Sequence, residues 1–422
     1  MRVKPARNKL ATSHLVSGSK DIYLVAMISM AEIDDIEDWL IGQALGSPDM
    51  AKMFAEMCER LRQCHVPIDR AMLVWSVLHP LIEAELAFWE SGNAVQHERF
   101  EHSEEENEDW LQSPVRAVLV NREPMLRRRL ANANAPIEFP LLRTLASEGY
   151  TDYLVIPTEF EIPAIKGDYP STGIIVSWAT KETDGFSDEA LVAIRYIQKR
   201  LALAARATLE SQITRTVAET YLGTIASTKV LNGQIRHGDG ENIDAVVYFA
   251  DMRNSTAIAE DLGPDAYLPW LNSYFEATAG SVLEHGGEVL DFIGDAVLGV
   301  FPTENQSFDS AVRKAIGAAD ETRRRLKEFN LNSTAKHSLK SGVALSVGSV
   351  MFGNIGVPSR MTFSVVGQTV HAAARIESLT KIVGSDVLMT EQVASIAGPR
   401  AWHAGEFELD GFTNRQPLFA LE

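Results

Sequence analysis

The apolar positions change period along the chain. Over 33–61 they include Ile36, Leu40, Phe54 and Met57, a spacing that predicts helix. Between 71 and 89 the chain turns rich in Val, Leu, Ile, Phe and Trp, which predicts one or two strands, and apolar runs near 115–121, 152–157 and 173–178 predict more. Ser187 then stands where it can cap a helix whose Leu191, Ile194, Ile197, Leu201 and Ala205 share one stripe. This helix continues through Leu209 and Ile213 towards Val217 and Tyr221, a natural mechanical link between two domains. From Asp244 the predicted order is strand, helix Pro264–Glu284, strand, turn, strand, helix 308–329, strands 339–345 and 349–354, and a segment 363–379. That βαββαβ order gives an α+β sandwich with helices on one face of a sheet.

Two carboxylates stand at the ends of apolar runs. Val246-Val247-Tyr248-Phe249-Ala250 leads into Asp251-Met252-Arg253-Asn254-Ser255-Thr256, and Phe292-Ile293-Gly294 leads into Asp295. Glu284-His285-Gly286-Gly287-Glu288 before the second run predicts a hairpin whose tip lies beside the first Asp. Taken singly, Asp251 reads as a helix cap and Asp295 as a turn residue. As a pair on one sheet edge they suit a hard cation such as Mg²⁺ and a phosphate ligand. The N–H groups of residues 253–256, opening a helix, are expected to face the same anion.

At 422 residues the chain has room for two or three domains, and 45% hydrophobic with 23% charged residues is ordinary for a globular protein. The net charge of −18 argues against nucleic acid or an anionic membrane surface as partner, while a metal-bound nucleotide stays compatible. Cys58 and Cys64 fit neither a disulfide framework nor a metal cluster, so a cytoplasmic setting is the simplest. The apolar run Ile22–Ile28 is too short to span a membrane, and residues 1–30 are read as a disordered leader, with a later start site left open. The acidic run 104–109 is read as a solvated loop, and Trp75, Trp89, Tyr153 and Trp178 as core.

Four motifs in order carry a resemblance: Phe249 to Thr256; Gly286-Gly287 through Gly294-Asp295; Gly353-Asn354-Ile355-Gly356; and Val366-Gly367-Gln368-Thr369-Val370-His371-Ala372-Ala373-Ala374-Arg375-Ile376-Glu377. With them, residues 241–422 resemble the catalytic domain of class III nucleotidyl cyclases, of ferredoxin-like, palm-type fold. The resemblance implies attack of a ribose 3′-OH on the α-phosphorus of a nucleoside triphosphate, with release of pyrophosphate. It implies two Mg²⁺ or Mn²⁺ ions held by Asp251, Asp295 and the Met252 carbonyl, with Asn254, Ser255 and Thr256 at the substrate. It also implies that Arg375 and His371 meet transition-state charge, and that a homodimer places one protomer's aspartates against its partner's arginine.

The chain departs from the usual adenylate cyclase at four positions: Asp291 where the adenine-reading Lys stands, Ser364 for its partner, His371 for Asn, and Asp410 for the phosphate-binding Lys. Arg415 and Lys381 are the visible substitutes for the last. A degenerate, nucleotide-binding module without turnover is therefore the rival reading. Gly286-Gly287-Glu288 also fits a diguanylate cyclase signature, but the last two motifs do not belong to it. Residues 31–206 resemble a GAF-type domain of α/β fold, either a sensor of a small molecule or a dimerisation unit, and 207–240 read as a helical signalling linker.

Overall fold

The computed structural model describes residues 28–422 apart from 104–107, 132–136, 163–172, 305 and 334–336. The expected leader up to residue 27, with its apolar run, and residues 104–107 of the acidic run lie outside the described residues. The chain forms two compact units, Met1–Ser211 and Gln212–Glu422.

In the first unit, α1 (Met30–Ala44) and α2 (Met50–Gln63) precede β1 (Arg70–Ser76), β2 (Ile82–Glu90) and β3 (Gln96–Glu101). There follow α3 (Glu108–Leu111), α4 (Pro114–Asn121), β4 (Leu126–Arg129), α5 (Pro140–Ser147), β5 (Asp152–Glu159), β6 (Gly173–Thr180) and α6 (Asp188–Leu222), whose last residues, from Gln212, are counted with the second unit. The sheet runs β3-β2-β1-β6-β5-β4, and every pairing is antiparallel, so the α/β character expected of this unit gives way to an antiparallel α+β layer. Residues 115–121 are helix, not strand: the Ser113 hydroxyl accepts from the Val115 N–H at 3.1 Å, Pro114 opens the first turn, and Val115 and Val118, three apart, are the buried pair. Trp75, Trp89, Tyr153 and Trp178 are buried, as are both cysteines, which are unpaired. The Ala190 N–H donates to Ser187 at 3.2 Å, and Ile194, Ile197, Leu201 and Ala205 are buried along α6. Just before that cap, the fully buried Asp152 pairs with Arg127 at 2.6 Å and accepts from the Phe186 N–H, which fixes the entry to the helix.

The second unit contains α7 (Thr224–Leu231), β7 (Gly240–Met252), α8 (Ser255–Leu262), α9 (Pro264–Glu284), β8 (Glu288–Ile293), β9 (Ala296–Pro302) and α10 (Phe308–Asn332). It closes with β10 (Ser341–Val357), β11 (Arg360–Val366), α11 (Gln368–Val383), β12 (Val387–Thr390), α12 (Glu391–Ala397), β13 (Ala401–Phe407) and β14 (Gln416–Leu421). The sheet order is β13-β14-β12-β10-β7-β9-β8, with β11 folded back on β10. From Ala245 to Ala250 β7 is apolar because both its faces are covered there. Val246, Tyr248, Ala250 and Met252 join α9 and α10 in one core, while Ala245, Val247 and Phe249 face Ala226 of α7 and Ala373 of α11. The sandwich expected to carry helices on one face therefore carries them on both.

The two strands expected at 339–345 and 349–354 are one strand, paired with β7 from Ser341↔Met252 to Gly353↔Gly240. Gly348 does not break it. A Cβ there would sit 2.5 Å from the Thr369 hydroxyl, so the glycine makes room for α11. Gly287 works similarly: a Cβ would lie 2.7 Å from the Phe301 ring. Glu288 is buried and accepts from the Ile225 N–H at 2.8 Å, capping α7 from β8.

Candidate active site

Strand alternation sends Asp251 and Arg253 to the face of β7 that α11 covers, opposite Met252. The Met252 side chain is buried in the α9–α10 core, so only its main chain is left to offer the site. The Asp251 main chain is held from below: the buried Ser341 hydroxyl donates to the Asp251 carbonyl at 3.1 Å, and Tyr274 bonds that hydroxyl at 3.1 Å. Asp295 lies in the turn between Ile293 and Ala296, which are paired; Gly294, at φ +66°, takes the left-handed conformation this turn demands.

Asp251 and Asp295 come together. Burial pushes the Asp251 carboxyl above its ordinary value, the charge on Asp295 pushes it further, and the Lys381 and Arg253 cations pull it back only in part. A carboxylate whose ionisation is opposed by burial and by a neighbouring carboxylate is what a divalent cation relieves, and the donor set of two carboxylates and a main-chain carbonyl is all hard oxygen. Among the described residues no cluster of three or more His, Cys, Asp or Glu side chains forms a metal site. Any cation here would draw its remaining ligands from water and phosphate.

Asn254 caps α8 at φ 59°, one of three non-glycine residues with positive φ among the described residues, a conformation Asn tolerates better than most. Ser255 and Thr256 open α8. The Arg253 N–H, expected to face an anion, instead donates to the Lys340 carbonyl at 2.9 Å, continuing the sheet one residue past β7. Its guanidinium bonds Glu377 at 3.0 Å and the Thr380 hydroxyl, both on α11.

His371, exposed, and Arg375 lie one turn apart on α11. Arg375 is not drawn to Asp251 or Asp295 of its own chain; its Nη2 pairs at 3.3 Å with Asp410, which is 94% exposed. Asp291 sits at an irregularity in the β8–β9 pairing, and Ser364, buried, lies on β11, which runs close to β8. Arg415 donates to the Glu406 carbonyl at 2.7 Å, whereas Lys381 acts on Asp251. The Arg253–Glu377–Thr380 cluster was not singled out from sequence. Its signals were Arg253 two residues past Asp251 on the same strand face, and Glu377 and Lys381 four apart on a helix.

Residues 240–419 match the family model for the adenylate and guanylate cyclase catalytic domain. The terminal-differentiation-specific adenylate cyclase of Dictyostelium discoideum is 28% identical over 192 residues, 46% of this chain and 9% of that protein. The adenylate cyclase of Anabaena cylindrica is 29% identical over 185 residues, 42% of this chain and 35% of that protein. This chain thus spans a minor part of these relatives. Among solved structures, that of the guanylyl cyclase Cya2 is 26% identical and superposes with a TM-score of 0.39 over 43% of this chain and 93% of that one. The segment 240–419 is thus similar to adenylate and guanylate cyclase catalytic domains. No described helix is long and apolar enough to cross a membrane.

Proposed function

We propose that the C-terminal unit, as a homodimer, converts a purine nucleoside triphosphate to its 3′,5′-cyclic monophosphate and pyrophosphate. The observation that carries this reading is the convergence of Asp251 and Asp295 at the end of β7. Divalent cations held there, with the Met252 carbonyl, would neutralise the triphosphate and acidify the 3′-OH. Asn254, Ser255 and Thr256 border the phosphates. Arg375 supplies a planar guanidinium to charge developing on the α-phosphate, and His371 a hydrogen-bond donor. Both serve the partner's aspartates, since within one chain Arg375 engages Asp410 instead. Exposed Phe292 and Ile293 at the hairpin tip, and Val357 and Val366 on the β10–β11 ribbon, suit an interface between copies. Asp291 with Ser364 favours guanine, whose N1 and N2 donate, over adenine, whose N1 accepts. The first unit acts as a GAF-like sensor or dimerisation domain: its six-stranded antiparallel sheet, with a buried core against α4 and α5, supports that role.

The second reading is a nucleotide-binding module without turnover, favoured by the acid at position 410 that occupies Arg375. Protein incubated separately with ATP, GTP, CTP and UTP plus Mg²⁺ or Mn²⁺, with products separated by chromatography, decides between them. Cyclic product from a purine triphosphate supports the enzyme; binding without product supports the module. Mixing inactive Asp251→Ala with inactive Arg375→Ala protein tests the dimer: each heterodimer holds one intact site, so activity should return. Exchange of subunits without recovery would show the site is not shared.

A further inference from the structure

We propose that Arg253, Glu377 and Thr380 are positioning residues that tie the end of β7 to α11, so that the aspartate half-site and the arginine half-site of one protomer move as one body. This rests on the shared-site reading above.

The tie is specific. Arg253 Nη1 donates to Glu377 Oε1 at 3.0 Å and Nη2 donates to the Thr380 hydroxyl, while the side chains of Arg253 and Glu377 are only 13% and 3% exposed. The sheet leaves a hollow for it. Gly342 pairs with Asp251 across the β7–β10 ladder, and a Cβ at Gly342 would collide with Glu377 Oε1 and Arg253 Nη2. A side chain at that position would push the pair apart, so the glycine lets the guanidinium and carboxylate lie directly over the strands. Both ends are close to the chemistry: Arg253 is two residues past Asp251, and Glu377 is two past Arg375.

A planar guanidinium reaching two acceptors resists reorientation better than a single-point contact, and a buried pair cannot be opened without stranding a charge away from water. Sliding α11 relative to β7 would do both. In a dimer with shared sites, Asp251 and Arg375 of one chain belong to different sites. A shift of α11 as Arg375 engages phosphate in one site is then delivered to the cation carboxylates of the other. Occupancy of the two sites becomes interdependent, a coupling carried by one defined contact between two rigid elements.

The test is calorimetric titration of the full-length dimer with 3′-deoxy-GTP or 3′-deoxy-ATP, which lack the attacking hydroxyl, in the presence of Mn²⁺. The stepwise dissociation constants of wild-type protein should depart from the statistical ratio by about fivefold or more. Glu377→Gln and Arg253→Lys should each bring them back towards it. Should either variant fail to fold, Thr380→Val, which removes only the hydroxyl, should give a partial return. A merely structural role would lower the melting temperature and leave the ratio unchanged. Statistical binding in the wild type, or an undiminished ratio in the folded variants, overturns the coupling. Coupled binding of the probe without product from any triphosphate counts against the enzyme and not against the tie; turnover at independent sites does the reverse.

Discussion

At the aspartate edge, both carboxylates are set by main chain: Asp251 by the end of β7 and the Tyr274–Ser341 hydroxyl chain, Asp295 by a tight turn. On α11, by contrast, Arg375 reaches out from a helix and rests on an exposed acid. The first region is preorganised and pays for it in repulsion; in the second the helix is tied to β7, but the Arg375 side chain can swing and must let go of Asp410 before it can meet an anion. In the shared-site reading proposed above, one half waits in place and the other side chain arrives.

The largest expected effect lies at the preorganised edge. Asp251→Ala and Asp295→Ala should each lower turnover by at least about a hundredfold while circular dichroism shows an unchanged fold, because a hard-cation site cannot lose a central charged ligand cheaply. Near-normal turnover in either folded variant would remove the cation site from the reading. Next comes the base. Asp291→Lys combined with Ser364→Thr should shift preference towards ATP by roughly ten- to a hundredfold in a competition assay, the range expected when a buried polar group gains or loses its partner. An unmoved preference would show that these two positions do not read the base.

A smaller effect concerns pH. The folded state raises the Asp251 pKa through burial and Asp295, so it keeps that proton to higher pH than the unfolded chain does. The associated stability is fully present below the unfolded value and is lost as pH rises through the folded one. At neutral pH the metal-free protein therefore carries a repulsion that Asp251→Asn removes. The substitution should raise the metal-free melting temperature at about pH 7, with the gain shrinking towards about pH 4, and it should abolish the further rise that Mg²⁺ gives the wild type. A lower metal-free melting temperature at neutral pH would mean that Asp251 is held by attraction and not by repulsion. Least of all is expected from Asp410→Asn, since an exposed ion pair contributes little: the change in kcat or KM should stay below about fivefold. A larger gain in activity would identify Asp410 as a brake on Arg375.

The aspartate edge was legible because the signal is local: an apolar run long enough to be a central strand, ending in a carboxylate, and a helix that the structure places at Pro264–Glu284 as expected. What failed was whatever depended on partners distant in sequence. A short apolar run such as 115–121 fits strand or helix equally, and only the cap at Ser113 decides it. The expected strands 339–345 and 349–354 are continuous, and the reason for Gly348 between them, the close approach of Thr369, lies about twenty residues further on. The Arg253–Glu377 pair is farther apart still, joining residues that share no local pattern. The side of the sheet on which α11 packs follows from a crossover, which a one-dimensional period does not encode.

The central pairing of β7 with β10 also has a kinetic consequence. Asp251 meets Gly342 across about ninety intervening residues, so the two innermost strands close one of the longest loops in the unit. During synthesis β7 emerges long before β10, and its first available neighbour is β9, through Ala250↔Val297. Until β10 arrives, the apolar half of β7, Ala245 to Ala250, has one edge unpaired, and a chain in that state is open to wrong partners, including another nascent copy. The strand order that seats Asp251 on a central strand is thus also what makes this unit expected to fold slowly and to be vulnerable while it does so.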